Sequence, residues 1–91
     1  MLNHYNDLIR IKCWPFTTSG SNGEWGGSIL VSGYTPVMYA IDRGFSGSLI
    51  VGSENFDINN SRLVGFSNAN GSSYSVRPVV LYIKTGYFKI I

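Results

Sequence analysis

Charged side chains are scarce in this sequence. Only 13% of the 91 residues are Asp, Glu, Lys or Arg, which is about half the usual share. The net charge of +2 is too small to favour nucleic acid or an anionic membrane as a partner. Gly, Ser and Asn, with 11, 12 and 8 residues, take the place of the charges. We therefore expect a neutral surface rich in hydroxyl and amide groups, and no nucleic-acid partner.

Cysteine and histidine occur once each, as Cys13 and His4. A single cysteine cannot form a disulfide within the chain, and one histidine near the N-terminus offers little to a metal ion. Nucleophilic catalysis by Cys13 would need His4 as its base. Cys13 also alternates with Ile9 and Ile11, which favours a buried thiol. We predict no catalytic residue, no metal and no cofactor, and therefore not an enzyme.

Long apolar runs are missing as well. No run approaches the ~20 residues that a spanning helix needs, and residues 1–12 contain no apolar stretch of the signal-peptide type. We expect no membrane insertion and no secretion by a signal peptide. Residues 1–6 are interpreted as a lead-in or the remnant of an upstream segment, and residues 7–91 as one β-sandwich domain. A chain of this size buries little more than ~60% of its unfolded surface, so oligomerisation is a plausible source of stability.

The apolar residues that are present recur with a period of two, without the 3.6-residue stripe of an amphipathic helix. Turn residues separate these segments at intervals of roughly 8–12 residues, which is typical of sandwiches and barrels. We predict an all-β fold: a small antiparallel, jelly-roll-like β-sandwich of seven or eight short strands. The predicted strands are residues 7–14, 28–32, 37–42, 48–52, 62–67, 74–84 and 87–91, with a weak one within 53–61.

Residues 76–84 form the longest β-favouring segment, and both of its faces are largely apolar. Because alternate residues of a strand point to opposite sides, one face carries Arg77, Val79, Leu81 and Ile83, and the other carries Val76, Pro78, Val80, Tyr82 and Lys84. A small sandwich has one interior, so the second face needs a partner. We predict a homo-oligomer with Val76, Val80 and Tyr82 at the subunit contact.

Thirteen residues are aromatic, and several of them fall in or beside predicted loops. An aromatic ring can stack on the C–H face of a sugar while polar neighbours bond its hydroxyls. Residues 17–27 are interpreted as a glycine-rich loop that exposes Trp25, and Phe45 follows Asp42 and Arg43 in another loop. We predict a carbohydrate site with Trp25 as platform, Asp42 and Arg43 as polar partners, and Phe45 beside them. Alternatively, each of these aromatic rings closes an end of the sandwich.

A pattern of strand and turn residues comprises Gly33-Tyr34-Thr35-Pro36-Val37, a glycine-interrupted middle, and residues 68–75 leading into Val79-Val80-Leu81-Tyr82-Ile83-Lys84. Over residues 28–84 this pattern resembles the C-terminal, receptor-binding tip domains of bacteriophage tail fibres, of the type found in phages and prophages of Gram-positive bacteria. The resemblance implies a β-sandwich that is assembled in the bacterial cytoplasm and forms homotrimers at the fibre tip of the virion. It also implies a host cell-surface glycan as the partner.

Two other functions fit the same sequence. One is a structural module that trimerises and caps a virion fibre without touching the host. The other is a carbohydrate-binding module attached to a hydrolase, which we expect to be monomeric. The mass in solution separates the hydrolase module from the two fibre modules, whereas only a ligand test separates a receptor-binding tip from a structural cap.

Overall fold

The computed structural model describes residues 7–18, 24–42, 51–67 and 75–87. It confirms the predicted fold class, since the described part is a small all-β sandwich of two antiparallel sheets. The strands are β1 (Ile9–Cys13), β2 (Phe16–Thr17), β3 (Glu24–Ser28), β4 (Tyr34–Asp42), β5 (Val51–Asp57), β6 (Arg62–Ser67) and β7 (Ser75–Lys84). The turn predicted at residues 68–72 and most of the strand predicted at residues 87–91 lie outside the described ranges.

Several predicted segment boundaries differ from the structure: β4 begins at Tyr34 and not at residue 37, and β5 runs across the boundary predicted between residues 52 and 53. Residues 17–27 are predicted as a loop, yet they contain the end of β2 and almost all of β3. Antiparallel pairing with β6 organises β3 despite its weak β propensity. The predicted strand at residues 28–32 keeps only its first residue, because the Ile29 N–H donates to the carbonyl oxygen of Ser61 in a turn. Tertiary pairing therefore overrides the local composition here.

The first sheet is organised around β7. β4 pairs with one edge of β7, and β1 pairs with the other. β2 pairs with β7 in the same register as β1, so it continues that edge after an interruption at Trp14 and Pro15. The longest β-favouring segment of the sequence is thus the central strand of its sheet.

Pro78 lies inside this central strand, where the sequence predicts an edge or a bulge because proline has no N–H. The Trp14 N–H donates to the Pro78 carbonyl oxygen at 2.8 Å. In an antiparallel ladder both backbone polar groups of a residue face the same neighbour. The missing N–H of Pro78 therefore faces the interruption between β1 and β2 and breaks no bond to β4. The irregular pairing lies in β4, between Pro36 and Met38.

The second sheet has β6 at its centre, between β3 and β5. β3 pairs with β6 without interruption, whereas the register of β5 shifts between Gly52 and Asn55. Gly26 in β3 has a φ of 105°, and a Cβ atom there would overlap the carbonyl oxygen of Leu63. A glycine is therefore required where β3 comes this close to β6.

The hydrophobic core lies between the two sheets. It consists of Trp25, Ile29, Leu63, Val76, Val80 and Tyr82. The predicted subunit contact of Val76, Val80 and Tyr82 is therefore wrong, because these side chains are fully buried inside the subunit. The opposite face of β7 is the outer one. Both faces are apolar, so alternation alone cannot tell which of them packs on the second sheet.

The hydroxyl of Tyr82 ties the first sheet to the segment after β3. It donates to the carbonyl oxygen of Ile29 at 2.7 Å and accepts from the indole Nε1 of Trp14 at 2.7 Å. Burial raises the pKa of this hydroxyl above its ordinary value, and the hydrogen bond from Trp14 offsets part of the rise. The polar group that Tyr82 brings into the core is thus satisfied as donor and as acceptor.

We expect Tyr82→Phe to lower the free energy of unfolding by about 1–3 kcal/mol, because Trp14 Nε1 and the Ile29 carbonyl oxygen lose their shared partner. Urea denaturation at neutral pH measures the difference. Tyr87→Phe is the matched control, since it removes a hydroxyl from an exposed ring and should leave the stability unchanged. Equal stability of Tyr82→Phe and wild type would contradict the hydrogen-bond chain.

The same variant has an expected pH signature. Because the pKa of Tyr82 is raised in the folded chain, the unfolded chain loses this proton first, near pH ~10. The wild type therefore loses stability as the pH rises through and above that value. Tyr82→Phe should lose less stability between pH ~9 and ~11, and denaturation curves across this range will show whether it does.

Candidate functional site

The structure changes the interpretation of the predicted carbohydrate platform. Trp25 lies in β3 rather than in a loop, and only 4% of its surface is exposed. The expectation of an exposed Trp25 is therefore wrong. Asp42 is the last residue of β4, with only its backbone described, and Arg43 and Phe45 lie outside the described residues.

Trp25 is buried because a glycine stands opposite it. Trp25 pairs with Gly65 across β3 and β6, and a Cβ atom on Gly65 would lie 2.7 Å from Cε2 of the indole. The ring of Phe16 lies 6.3 Å from the indole, and Trp14 stacks on Phe16 with ring centroids 6.1 Å apart. Nε1 of Trp25 is buried and has no hydrogen-bond partner in the described part of the chain. Trp25 is thus a core residue held by packing.

The outer face of the second sheet carries an exposed aromatic ring. Phe66 of β6 is 46% exposed and stands directly opposite Glu24 of β3. The neighbouring pair along the two strands is Val64 and Gly26. A depression of about 360 Å³ includes this ring. It is lined by Glu24, Gly26, Arg62, Val64 and Phe66, by Phe16 and Thr17 of β2, and by the inward-facing Trp25 and Gly65, so it lies at the β3 edge of the sandwich. An accessible ring, a carboxylate and a guanidinium group therefore share one depression.

The charges at this depression are close to balanced. Arg62 pairs with Asp57 across β6 and β5. Hydrogen bonds from the side-chain amide and the backbone N–H of Asn60, at 2.8 and 3.1 Å, lower the pKa of Asp57, with a smaller contribution from Arg62. Asp57 is therefore ionised at neutral pH, but it lies on the neighbouring strand β5 and does not line the depression. The charged side chains that line it are Glu24 and Arg62, one of each sign. A neutral ligand fits this balance better than an anion.

Sequence reasoning missed this site for an identifiable reason. Phe66 and Glu24 are far apart in the chain and become neighbours only through the register of β3 on β6. The alternation of residues 62–67 indicates that Phe66 and Gly65 point to opposite sides. It does not indicate which side is covered, and no local signal could have shown that.

A second surface is the outer face of the first sheet, called here the apolar face. Cross-strand pairing brings together the side chains of Ile9, Ile11, Cys13, Met38, Ala40, Val79, Leu81 and Ile83. Ile11 is 69% exposed and Met38 is 58% exposed, and a shallow groove of about 320 Å³ runs between them. Cys13 is exposed, so its predicted burial is wrong: the side of β1 that carries it faces outward.

Among residues 7–18, 24–42, 51–67 and 75–87, no three His, Cys, Asp or Glu side chains are grouped so that they could hold a metal ion. No helix in these ranges is both long enough and apolar enough to span a bilayer.

The depression beside Phe66 and the apolar face are therefore the two surfaces from which a function is inferred. Comparisons of the chain with protein-family models, with curated proteins and with solved structures found no match.

Proposed function

We propose that this chain is a non-catalytic binding module that holds a neutral carbohydrate in the depression beside Phe66, with Phe66 as the stacking platform. The observation that carries the proposal is the 46% exposed ring of Phe66 in a depression it shares with Glu24 and Arg62. A sugar offers an apolar C–H face to the ring and hydroxyls to the carboxylate and the guanidinium group.

The backbone around the depression supports this function. Glu24, Arg62 and Phe66 lie on paired strands, so their positions are held by the ladder and little ordering is needed on binding. A volume of about 360 Å³ lies at the lower end of small-ligand sites. One stacking contact and a few hydrogen bonds correspond to an affinity near the millimolar end.

In this proposal the module is the tip of a phage tail fibre, located on the virion, and its ligand is a glycan of the host surface. This setting rests on the resemblance of residues 28–84 alone. Several copies at one fibre end would turn weak single sites into useful avidity. The exposed apolar face favours one alternative, a structural module that assembles and caps a fibre without binding glycan. The hydrolase-module alternative requires a monomer.

We expect Phe66→Ala to weaken binding of neutral cell-wall glycans by about tenfold or more, because the stacking contact is lost. The fold should survive, since nearly half of the ring is already in solvent. Saturation-transfer NMR and a multivalent display of the domain on beads, both with cell-wall glycans of Gram-positive bacteria, measure the change.

Tyr87→Ala is the matched control, because it removes another exposed aromatic ring that lies outside the depression. Loss of binding in Phe66→Ala together with normal binding in Tyr87→Ala supports the proposed site. Unchanged binding in Phe66→Ala would show that the glycan binds elsewhere, and substitutions at Asp42, Arg43 and Phe45 would then be tested next. If the wild type binds no glycan even in multivalent display, the capping function replaces this proposal.

A further inference from the structure

We infer that the apolar face of the first sheet is the contact between copies of this chain. None of the eight side chains that form it is charged, and they come from three neighbouring strands: β1, β7 and β4. On the same side of the sheet, the exposed Arg77 lies beyond Val79, and Thr35 lies opposite Ile83, so polar groups begin at the ends of the face. Ile11 and Met38, on the two outer strands, are more than half exposed. A surface without charges or strong hydrogen-bonding groups is complementary to another apolar surface and not to a glycan or a nucleic acid.

The shape of the apolar face suits a second copy. Sheets pack face to face about 10 Å apart with interdigitating side chains. A sheet face that packs on the same face of another copy makes a self-complementary contact, which is the usual basis of a symmetric assembly. The chain carries a net charge of only +2, so copies repel each other weakly.

The size of the face indicates how strong the contact can be. From strand spacings of ~4.8 Å and rises of ~3.3 Å per residue, three strands over five residues span roughly 14 Å by 17 Å in plan. Side chains that stand up from the sheet, and the residues at its rim, add to this area. Even with these additions, two such faces stay at or below the lower end of specific interfaces, about 1,000 Å² in total. We therefore expect reversible assembly with micromolar affinity.

The position of Cys13 supplies an independent readout. Its thiol is exposed in the single subunit, and Cys13 pairs with Val79 on the apolar face. If copies cover this face, the thiol is protected in the assembly and accessible in the free subunit. Its reaction rate with a water-soluble maleimide should then fall as the protein concentration rises.

Ile11→Asp tests the inference in the whole chain. Because Ile11 is 69% exposed, an aspartate is tolerated by the subunit, but it would bring an unpaired charge into the contact and weaken assembly at least about tenfold. Leu30→Asp is the matched control: Leu30 is 62% exposed and lies off the apolar face. Sedimentation equilibrium from micromolar to near-millimolar concentration measures the mass, and circular dichroism verifies that each variant folds.

The expected result is a wild-type mass of twice the 10.0 kDa of one chain, with Cys13 protected. Leu30→Asp should behave in the same way, whereas Ile11→Asp should remain a folded monomer with a reactive thiol. A wild type that stays at the mass of one chain at every concentration overturns the inference, because the face is then covered by something other than a copy. An Ile11→Asp variant that assembles like wild type also overturns it. Neither outcome bears on glycan binding at Phe66, which is measured separately.

Discussion

Val80→Asp is expected to prevent folding, with loss of the β-type circular dichroism spectrum and of resolved methyl signals in a proton NMR spectrum. Val80 is fully buried in the core. An aspartate there would carry its charge into an apolar interior, at a cost of several kcal/mol even after relaxation. This is comparable to the whole stability of a small domain, about 5–15 kcal/mol.

The neighbouring residue is the matched control. Val79 lies on the opposite face of β7 and is partly exposed, so Val79→Asp should fold and should weaken assembly through the apolar face. The pair of variants therefore tests which face of β7 is the inner one. If Val79→Asp unfolds and Val80→Asp folds as a monomer, the assignment of faces predicted from the sequence is correct and the one described here is wrong.

Trp25→Ala is expected to lower the free energy of unfolding by about 3–5 kcal/mol, the usual cost of removing a large aromatic side chain from a core. The indole fills the space above Gly65 and contacts Phe16, and both contacts would be replaced by a cavity. Since Nε1 has no partner among the described residues, the loss comes from packing and not from a broken hydrogen bond. Urea denaturation at neutral pH measures it.

Gly65→Ala provides the second half of this test. Alone, it forces a methyl group against the indole and should destabilise the fold by about 1–3 kcal/mol. Combined with Trp25→Ala, the methyl group has room, so the two effects should fall clearly short of additivity. A Trp25→Ala variant as stable as wild type would instead favour the exposed loop residue that the sequence predicts.

The class of the fold could be predicted from the sequence because it depends on local pattern. Period-two alternation and the lack of a helical stripe indicate strands wherever they occur. The apolar character of residues 76–84 on both faces also indicates the segment that became the central strand β7. Even Pro78 is accommodated there, because its missing N–H faces the break between β1 and β2. These features require no knowledge of which strands are neighbours.

The candidate site required the register of the second sheet. Trp25 lies in a segment of low β propensity, so the sequence predicts a loop there. The pairing of β3 with β6 instead puts Trp25 in a strand, opposite Gly65. Pairing in the same register brings Glu24 beside Phe66 on the outer side. Residues about forty positions apart in the chain therefore decide together which aromatic ring is buried and which is exposed.

The sequence by itself determined that the chain is β-rich, weakly charged and built around a strand that is apolar on both sides. Only the tertiary structure decided which side is inner. Val76, Val80 and Tyr82 are buried because the second sheet covers them and because the Tyr82 hydroxyl finds both of its partners there. Val79 and Leu81 are as hydrophobic, yet they remain on the outer face, since hydrophobicity is a property of a side chain and burial depends on what packs against it.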